Sequence, residues 1–434
     1  MVETAETSLY LAEAGPEAPW PPFRGAARAQ VAIIGGGITG LACALHLAEA
    51  GVGVTLLETH GPGWGASGRN GGQLNPGLKP DPSEILETFG AVRGGALVRL
   101  GWGAVDETAA LIDRLGIDCQ LTRNGTIRAA QSAADVAAVR QSQRDMAARG
   151  MPVDWLDPEA IARLVGHRHY AGGFLDRRGG QVQPLRYVRG LARAAAAAGA
   201  VLHAKSRVTG FAPIAGGWSL RVNGGTLEAG QVLVATNGYA DGLVPGLARA
   251  MVPVFSSILS TPPLPGDLAE TVMPGRQSLY ESGLVTVYAR VDAGGRLIVG
   301  GRGPMAPTAR VADIGAVARH ALRLWPGLAR VGWERAWNGR VAITPDHLPH
   351  LHQIGPGFLA LYGYNGRGVA LAGALGRMMA AHLAGAVPLE DLPLPVTPLR
   401  PIRFHRFWKV GVQATIGMAR ARAALARALA RARG

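Results

Sequence analysis

Lysine is the first deficit of this 434-residue chain: Lys79, Lys205 and Lys409 stand among 44 basic side chains, and all the others are arginine. With so much Ala and Gly, that points to a compositional bias of the coding sequence rather than to a phosphate-binding surface. Cysteine is scarcer still. Cys43 and Cys119 offer neither a disulfide framework nor metal-ligand spacing, and they suit a reducing, cytoplasmic setting. No apolar run reaches the about 18 residues that a membrane span needs. Residues 1–22 lack the basic start and apolar stretch of a secretory signal. Charged residues make up 17% against 48% hydrophobic, which excludes a mainly disordered chain. The 62 glycines and 29 prolines show no three-residue period, so a collagen is excluded as well.

The net charge of +14 reads as a nucleic-acid signal until it is located along the chain. Arg400, Arg403, Arg406, Lys409, Arg420, Arg422, Arg427, Arg431 and Arg433 follow one another with no carboxylate between them, and without these nine the net charge is +5. A polyanionic partner is therefore an argument for the tail alone, and no nucleic-acid partner is expected of the body. Phe404, Phe407, Trp408, Ile416, Met418, Leu425 and Leu429 alternate with those cations. That pattern predicts amphipathic helix, packed on the body or in peripheral contact with an anionic membrane.

A chain of this length exceeds what one core usually fills, so two domains are expected. Gln30–Ile34 reads as a buried strand, Ile38–Ala50 as a helix stopped by Gly51, and Val52–Glu58 as the next strand. That unit is the building block of an α/β fold with a doubly wound parallel sheet. A helical stretch follows Ala133. VLHAKSRV, WSLRV and QVLVAT from Val201 open what reads as a second, antiparallel sheet pattern. From Asp241 to Trp333, SLYESGLVTVYARV and RLIVGG are the clearest strands of a largely antiparallel, substrate-facing layer. Arg340–Ile343, Phe358–Tyr362 and a helix from Val369 return to the first domain's character.

Between the first strand and helix stand Gly35, Gly37 and Gly40, spaced G-x-G-x-x-G: the first for the tight turn, the second for close approach of a pyrophosphate, the third for helix packing. Glu58 closes the next strand, where a carboxylate accepts from ribose hydroxyls. The run GWGASGRNGGQ, residues 63–73, is too rich in glycine for helix or strand, and its backbone donors suit an extended planar cofactor. A second glycine turn, Gly363 to Gly368, precedes a helix whose N-terminus can stabilise negative charge on a reduced flavin.

Taken in order, VAIIGGGITGLACALHLAEAG, GWGASGRNGGQ, VLVATNGY, W-x-G-x-x-x-x-T and GYNGRGVA resemble the D-amino-acid-oxidase type of FAD-dependent oxidoreductases. GASGRNGGQ, the Leu348-Pro349-His350 context and the basic tail are most similar to the γ-glutamylputrescine oxidoreductase group. The resemblance spans nearly the whole chain. It implies an FAD-binding domain of residues 28–92, 148–240 and 336–390, a substrate domain of 93–147 and 241–335, and a helical tail of 391–434. It assigns Gly35, Gly37, Gly40 and Glu58 to the adenosine end, with Val208 contacting the adenine through its backbone and Ala235, Thr236 and Asn237 closing that pocket. Ser67, Arg69, Asn70, Gly71, Gly72 and Gln73 fall to the flavin side, and Gly339, Asn365, Gly366, Arg367, Gly368 and Val369 near the flavin pyrimidine. Some relatives attach FAD through a cysteine before the last glycine turn; residues 336–346 hold none, so binding is expected to be non-covalent.

The chemistry implied is hydride transfer from the carbon beside an amine to the flavin, giving an imine. It needs the neutral amine, about one part in a thousand at pH 7.4 for a pKa near 10.4, which an apolar aromatic pocket favours by desolvation. Candidate lining residues are Trp102, Tyr280, Tyr288, Trp333 and Trp337. Tyr288, Arg290 and Trp337 are the expected catalytic-site set, with Arg290 as partner of a distal carboxylate, since Tyr288 and Arg290 share one strand face. Relatives that clamp an α-carboxylate read W-x-G-L-R-P; here Val341 holds the clamp position, and Arg340 points to the opposite face. Oxidation of D-amino acids, glycine or sarcosine, and an RNA-modifying flavoprotein, are the alternatives. The electron acceptor, oxygen or another, is left open, since Leu297–Gly300 offers no lysine. No metal is expected; His347, His350 and His352 read as surface or pocket-rim residues.

Overall fold

The computed structural model describes residues 8–283 and 287–418. Its first layer is an eight-stranded sheet whose main path runs His350–Gly355, Phe358–Tyr362, Gly225–Val234, Ala26–Ile34, Val54–Leu57, Val201–His203. The four pairings from Phe358–Tyr362 to Val201–His203 are parallel. Val31 to Ile34 and Val54 to Leu57 are buried throughout, the signature of parallel strands covered on both faces. Helices Ile38–Glu49, Pro184–Ala197 and Gly368–Leu383 share one apolar core with the sheet, while Val208, Trp218 and Phe358 belong to another. The strands from Val208 do form an antiparallel hairpin, but they extend this same sheet through Gly225–Val234 instead of opening a second one.

The second layer is also eight-stranded: Arg335–Ile343, Val252–Pro263, Arg296–Arg302, Tyr288–Val291, Ser278–Glu281, Thr126–Ala130, Gly172–Asp176, Val153–Leu156. Every pairing is antiparallel except Ser278–Glu281 with Thr126–Ala130. Sheet membership departs from the sequence expectation at three strands. Val153–Leu156 and Gly172–Asp176 lie within 148–240, and Arg335–Ile343 opens 336–390, yet all three belong to this layer. In the sequence neither Val153–Leu156 nor Gly172–Asp176 is read as a strand, and Arg340–Ile343 is read as a strand without the sheet that it joins. SLYESGLVTVYARV is likewise two strands, Ser278–Glu281 and Tyr288–Val291, paired antiparallel.

The helix Pro82–Arg114 starts from a capping box of Asp81 and Glu84 and breaks at Gly90, where φ is +74°. The arm before the first strand binds both layers. Tyr10 is fully buried, edge-on to Trp337 at 5.1 Å. Its carbonyl accepts from Gln183 at 3.0 Å, and Glu13 pairs with Arg296 at 2.8 Å.

At the other end, residues 408–418 are helical. Ile402 N–H donates to the Arg249 carbonyl at 2.7 Å and the His405 Nε2 atom faces the Met251 carbonyl at 2.8 Å, while Phe404, Phe407, Val410 and Met418 stay exposed. Arg420, Arg422, Leu425, Arg427, Leu429, Arg431 and Arg433 lie outside the described residues. No helix among the described residues is long and apolar enough to cross a membrane.

Candidate active site

The two layers meet over a cavity of about 530 Å³. Strand Ala26–Ile34 delivers the first glycine turn to one end of it. Gly35 has φ +117°, and a Cβ there would come 2.9 Å from the Ala235 carbonyl oxygen; one at Gly40 would strike the Gly35 carbonyl at 2.0 Å. Glycine alone permits both approaches. Gly37 caps the helix Ile38–Glu49 without a side chain, and the Ser67 hydroxyl accepts from Ile38 N–H at 3.0 Å. An open helix N-terminus beside a hydroxyl suits phosphate oxygens.

Glu58 accepts Gly36 N–H at 2.7 Å and His60 N–H at 2.8 Å. Burial pushes its carboxyl upward, and those backbone donors oppose the rise. A carboxylate keeps acceptor capacity beyond two such bonds. The wall there was not legible in the motif: His60 stacks on Trp64 at 3.8 Å, Tyr239 meets Trp64 edge-on at 5.6 Å, and the Arg69 guanidinium lies over Trp64 at 4.4 Å. The Val208 side chain is buried behind the wall, in the hairpin core, and its neighbour Arg207, paired with Asp241 at 2.5 Å, lines the cavity.

Several expected cofactor residues shape loops with their side chains. Asn70 donates to the carbonyls of Ala66 and Ser67 at 3.1 and 2.8 Å and accepts Gly72 N–H at 2.8 Å. Gln73 donates to the carbonyls of Leu279 and Ala289, each at 3.0 Å, tying the loop to the second sheet. Gly71 lines the cavity, whereas Gly72 packs on Val182 and Arg290. Asn365 (φ +52°) accepts Thr344 N–H at 2.9 Å, and Asn237 (φ +47°) accepts Gly363 N–H at 2.9 Å. In both turns the asparagine side chain bonds to a neighbouring backbone and so holds the positive-φ conformation beside the cavity. Thr236, Gly339, Gly366, Arg367, Gly368 and Val369 line the cavity with them.

At the opposite end Tyr288 does line the cavity, its hydroxyl 2.9 Å from that of Ser256, and burial raises its phenol. Tyr280 lines it as well. Five other residues, Arg290, Trp337, Trp102, Trp333 and His352, lie outside the cavity lining. Arg290 is 3% exposed and donates to the Gly71 carbonyl at 2.7 Å, Gln181 at 3.1 Å and the Tyr10 hydroxyl at 3.2 Å. It stands under the glycine loop and outside the cavity lining; sharing a strand face with Tyr288 does not give it the same depth. Trp337 donates to the Arg69 carbonyl at 3.1 Å from the core. Trp102 donates to the Met146 sulfur, and Trp333 packs on the second layer's core. His352 is buried, its ring nitrogens facing the Thr397 carbonyl at 2.6 Å and the Tyr362 hydroxyl at 2.9 Å. Of the three histidines, His347 lines the cavity. Sequence reasoning missed Lys79, Phe255, Ser256 and Arg302 in the wall. Arg302 had a signal, since it stands two residues beyond Gly300 on the strand facing Tyr288.

A model of the family described as DAO, FAD dependent oxidoreductase, matches residues 30–382. The chain belongs to this family. As a DAO-family chain it is 34% identical over 392 residues to the probable oxidoreductase OrdL of Rhizobium meliloti, covering 88% of this chain and 90% of that one. It is 31% identical to the γ-glutamylputrescine oxidoreductase of Escherichia coli, over 87% and 89% of the two. Among solved structures, glycine oxidase from Geobacillus kaustophilus superposes with TM-score 0.72 at 26% identity, over 85% of this chain and 98% of that one. DAO-family enzymes use FAD, and the residues here fit it. The glycine turn closes on Ala235, Gly37 leaves the helix start without a side-chain cap, and the Glu58 carboxylate lines the cavity beside them. Both cysteines are buried and neither lines the cavity.

Proposed function

We propose that this DAO-family oxidoreductase oxidises the C–N bond of an alkylamine, of the γ-glutamylputrescine kind, to an imine. Bound FAD supplies the hydride acceptor. Gly71, Arg69 and the Gly363–Gly368 turn would hold the flavin, and Tyr280, Tyr288 and Phe255 would wall the amine in. Those aromatic side chains desolvate an ammonium and so favour the neutral amine whose lone pair assists hydride loss.

The observation that carries the reading is Val341. It lines the cavity on strand Arg335–Ile343, where α-amino-acid relatives place their carboxylate clamp. Arg340, expected on the opposite face, also lines the cavity, but its guanidinium lies over aromatic rings, 5.0 Å from Tyr239 and 5.8 Å from Phe255. An α-carboxylate set against the Val341 side chain would lose hydration there without gaining a cation from that position. The 31% identity to the E. coli amine enzyme supports the same substrate class. Anaerobic stopped-flow tests it: γ-glutamylputrescine and N-acetylputrescine should bleach the flavin faster than glycine, sarcosine or D-alanine. Faster bleaching by any of those three amino acids overturns the assignment.

A further inference from the structure

The substrate end of the cavity holds more positive charge than amine oxidation uses. Lys79, Arg302 and Arg367 line it together. They arrive from three separate parts of the chain. Lys79 precedes the helix Pro82–Arg114, Arg302 ends the strand Arg296–Arg302, and Arg367 caps the helix Gly368–Leu383. Arg302 leaves the same strand face as Gly300, over which the Tyr288 ring lies.

No acid answers them. Arg367 donates to the Tyr280 hydroxyl at 2.9 Å and to the Pro76 carbonyl at 3.4 Å, both neutral. Among the described residues, Lys79 and Arg302 have neither an acceptor nor an ion-pair partner. Asp81, a carboxylate that favours the Lys79 ammonium, is held by Arg128 at 3.3 Å and by the Ser142 hydroxyl. Glu281 shares the wall, but it accepts from Tyr170 at 3.1 Å, Gln131 at 3.1 Å and Val287 N–H at 2.9 Å, with the His320 ring at 2.7 Å. Burial and the neighbouring arginines bring Lys79 down to about 8. Crowded cations in a half-enclosed space destabilise one another, and an arriving anion relieves them.

We propose that Lys79, Arg302 and Arg367 form an anion subsite for a carboxylate at the far end of the amine substrate. The substrate is then an alkylamine with a carboxylate several bonds from the reacting carbon. This deepens, and rests on, the amine-oxidising reading above. The two guanidinium groups offer planar, paired donors that suit a carboxylate, and the ammonium adds a point charge. The same field repels an ammonium at the other end of the substrate, which favours the neutral amine.

Three probes with one reacting end separate the possibilities: N-glutarylputrescine, γ-glutamylputrescine and N-acetylputrescine. The first two carry a far carboxylate, and the second adds an ammonium beside it. Anaerobic flavin reduction by holoenzyme should give the glutaryl probe a Kd about 10- to 100-fold below the acetyl probe. Arg302→Met and Lys79→Met should each remove most of that difference, leave the acetyl Kd within a factor of about three, and keep FAD content. Arg302→Lys should restore part of it, and equilibrium binding of glutarate, followed by the flavin spectrum, should weaken in step. Equal wild-type Kd values for glutaryl and acetyl probes overturn the subsite while leaving amine oxidation standing. So do variants that shift both probes alike. If no amine bleaches the flavin, the amine reading itself fails, and weakened glutarate binding in the variants still decides the subsite.

Discussion

At the nucleotide end of the cavity, one continuous stretch from Ile34 to Arg69 supplies most of the wall, and backbone atoms form much of its recognising surface: the N–H groups of a helix start, a glycine turn, one carboxylate fixed by two amides. At the substrate end the wall is assembled from side chains of distant strands, among them Ser256, Tyr280, Tyr288 and Arg302. The first kind of site tolerates little variation because a Cβ at Gly35 or Gly40 meets backbone. The second can change specificity one side chain at a time. Such a division lets a family keep its cofactor while its members take different substrates.

Acid precipitation should break the comparison at its cofactor end completely: all the flavin should leave as intact FAD, since Cys43 and Cys119 are buried away from the cavity. Yellow colour remaining in the pellet would show a covalent bond. Arg290→Met should come next in size. It leaves the Gly71 carbonyl, Gln181 and Tyr10 without their donor, a loss on the order of 3 kcal/mol or more in denaturant unfolding. FAD affinity should fall with it, because Gly71 lies in the cavity wall, yet the preference for a far carboxylate should persist. Glu58→Ala should weaken FAD by about 1.5 to 3 kcal/mol, measured as a flavin dissociation constant, without altering substrate ranking.

The smallest effect sharpens the substrate end. In the free enzyme Lys79 is lowered to about 8 by burial and by Arg367, Arg128 and Arg302, with Asp81 opposing. It is therefore cationic below pH 8 and neutral above. Between pH 7 and 9 the advantage of N-glutarylputrescine over N-acetylputrescine should shrink by a factor of about 3 to 10. Over the same range both probes should react faster as neutral amine accumulates. A constant ratio across that range would remove Lys79 from the subsite.

What the sequence made legible follows the same division. The strand, turn, helix and strand from Gln30 to Glu58 announce themselves because their constraints are local: burial periodicity, and glycines where backbone approaches backbone. Ser256 and Arg302 carry no such mark, since they become neighbours only through the register that sets Ser256 against Arg302 on adjacent strands. Arg290 misled for a related reason. Period-two alternation tells which face of a strand a side chain leaves, and it says nothing about what covers that face. A glycine loop and Tyr10 cover Arg290, while Tyr288, two residues earlier, reaches the cavity. Lys79 was hidden differently, in an irregular segment without periodicity to read.

The arm that carries Tyr10 has a mechanical consequence. Its carbonyl is fastened to the first layer through Gln183, and its hydroxyl and the nearby Glu13 to the second through Arg290 and Arg296. Phe23, at its far end, is pinned by its N–H to the Ser206 hydroxyl at 2.8 Å. A strap stitched to both layers, with Ser8, Leu9, Tyr10 and Phe23 buried, opposes any motion that would swing the sheets apart. Opening the cavity by a hinge between the sheets would have to break these bonds, whereas side chains and short loops at its mouth move without breaking them.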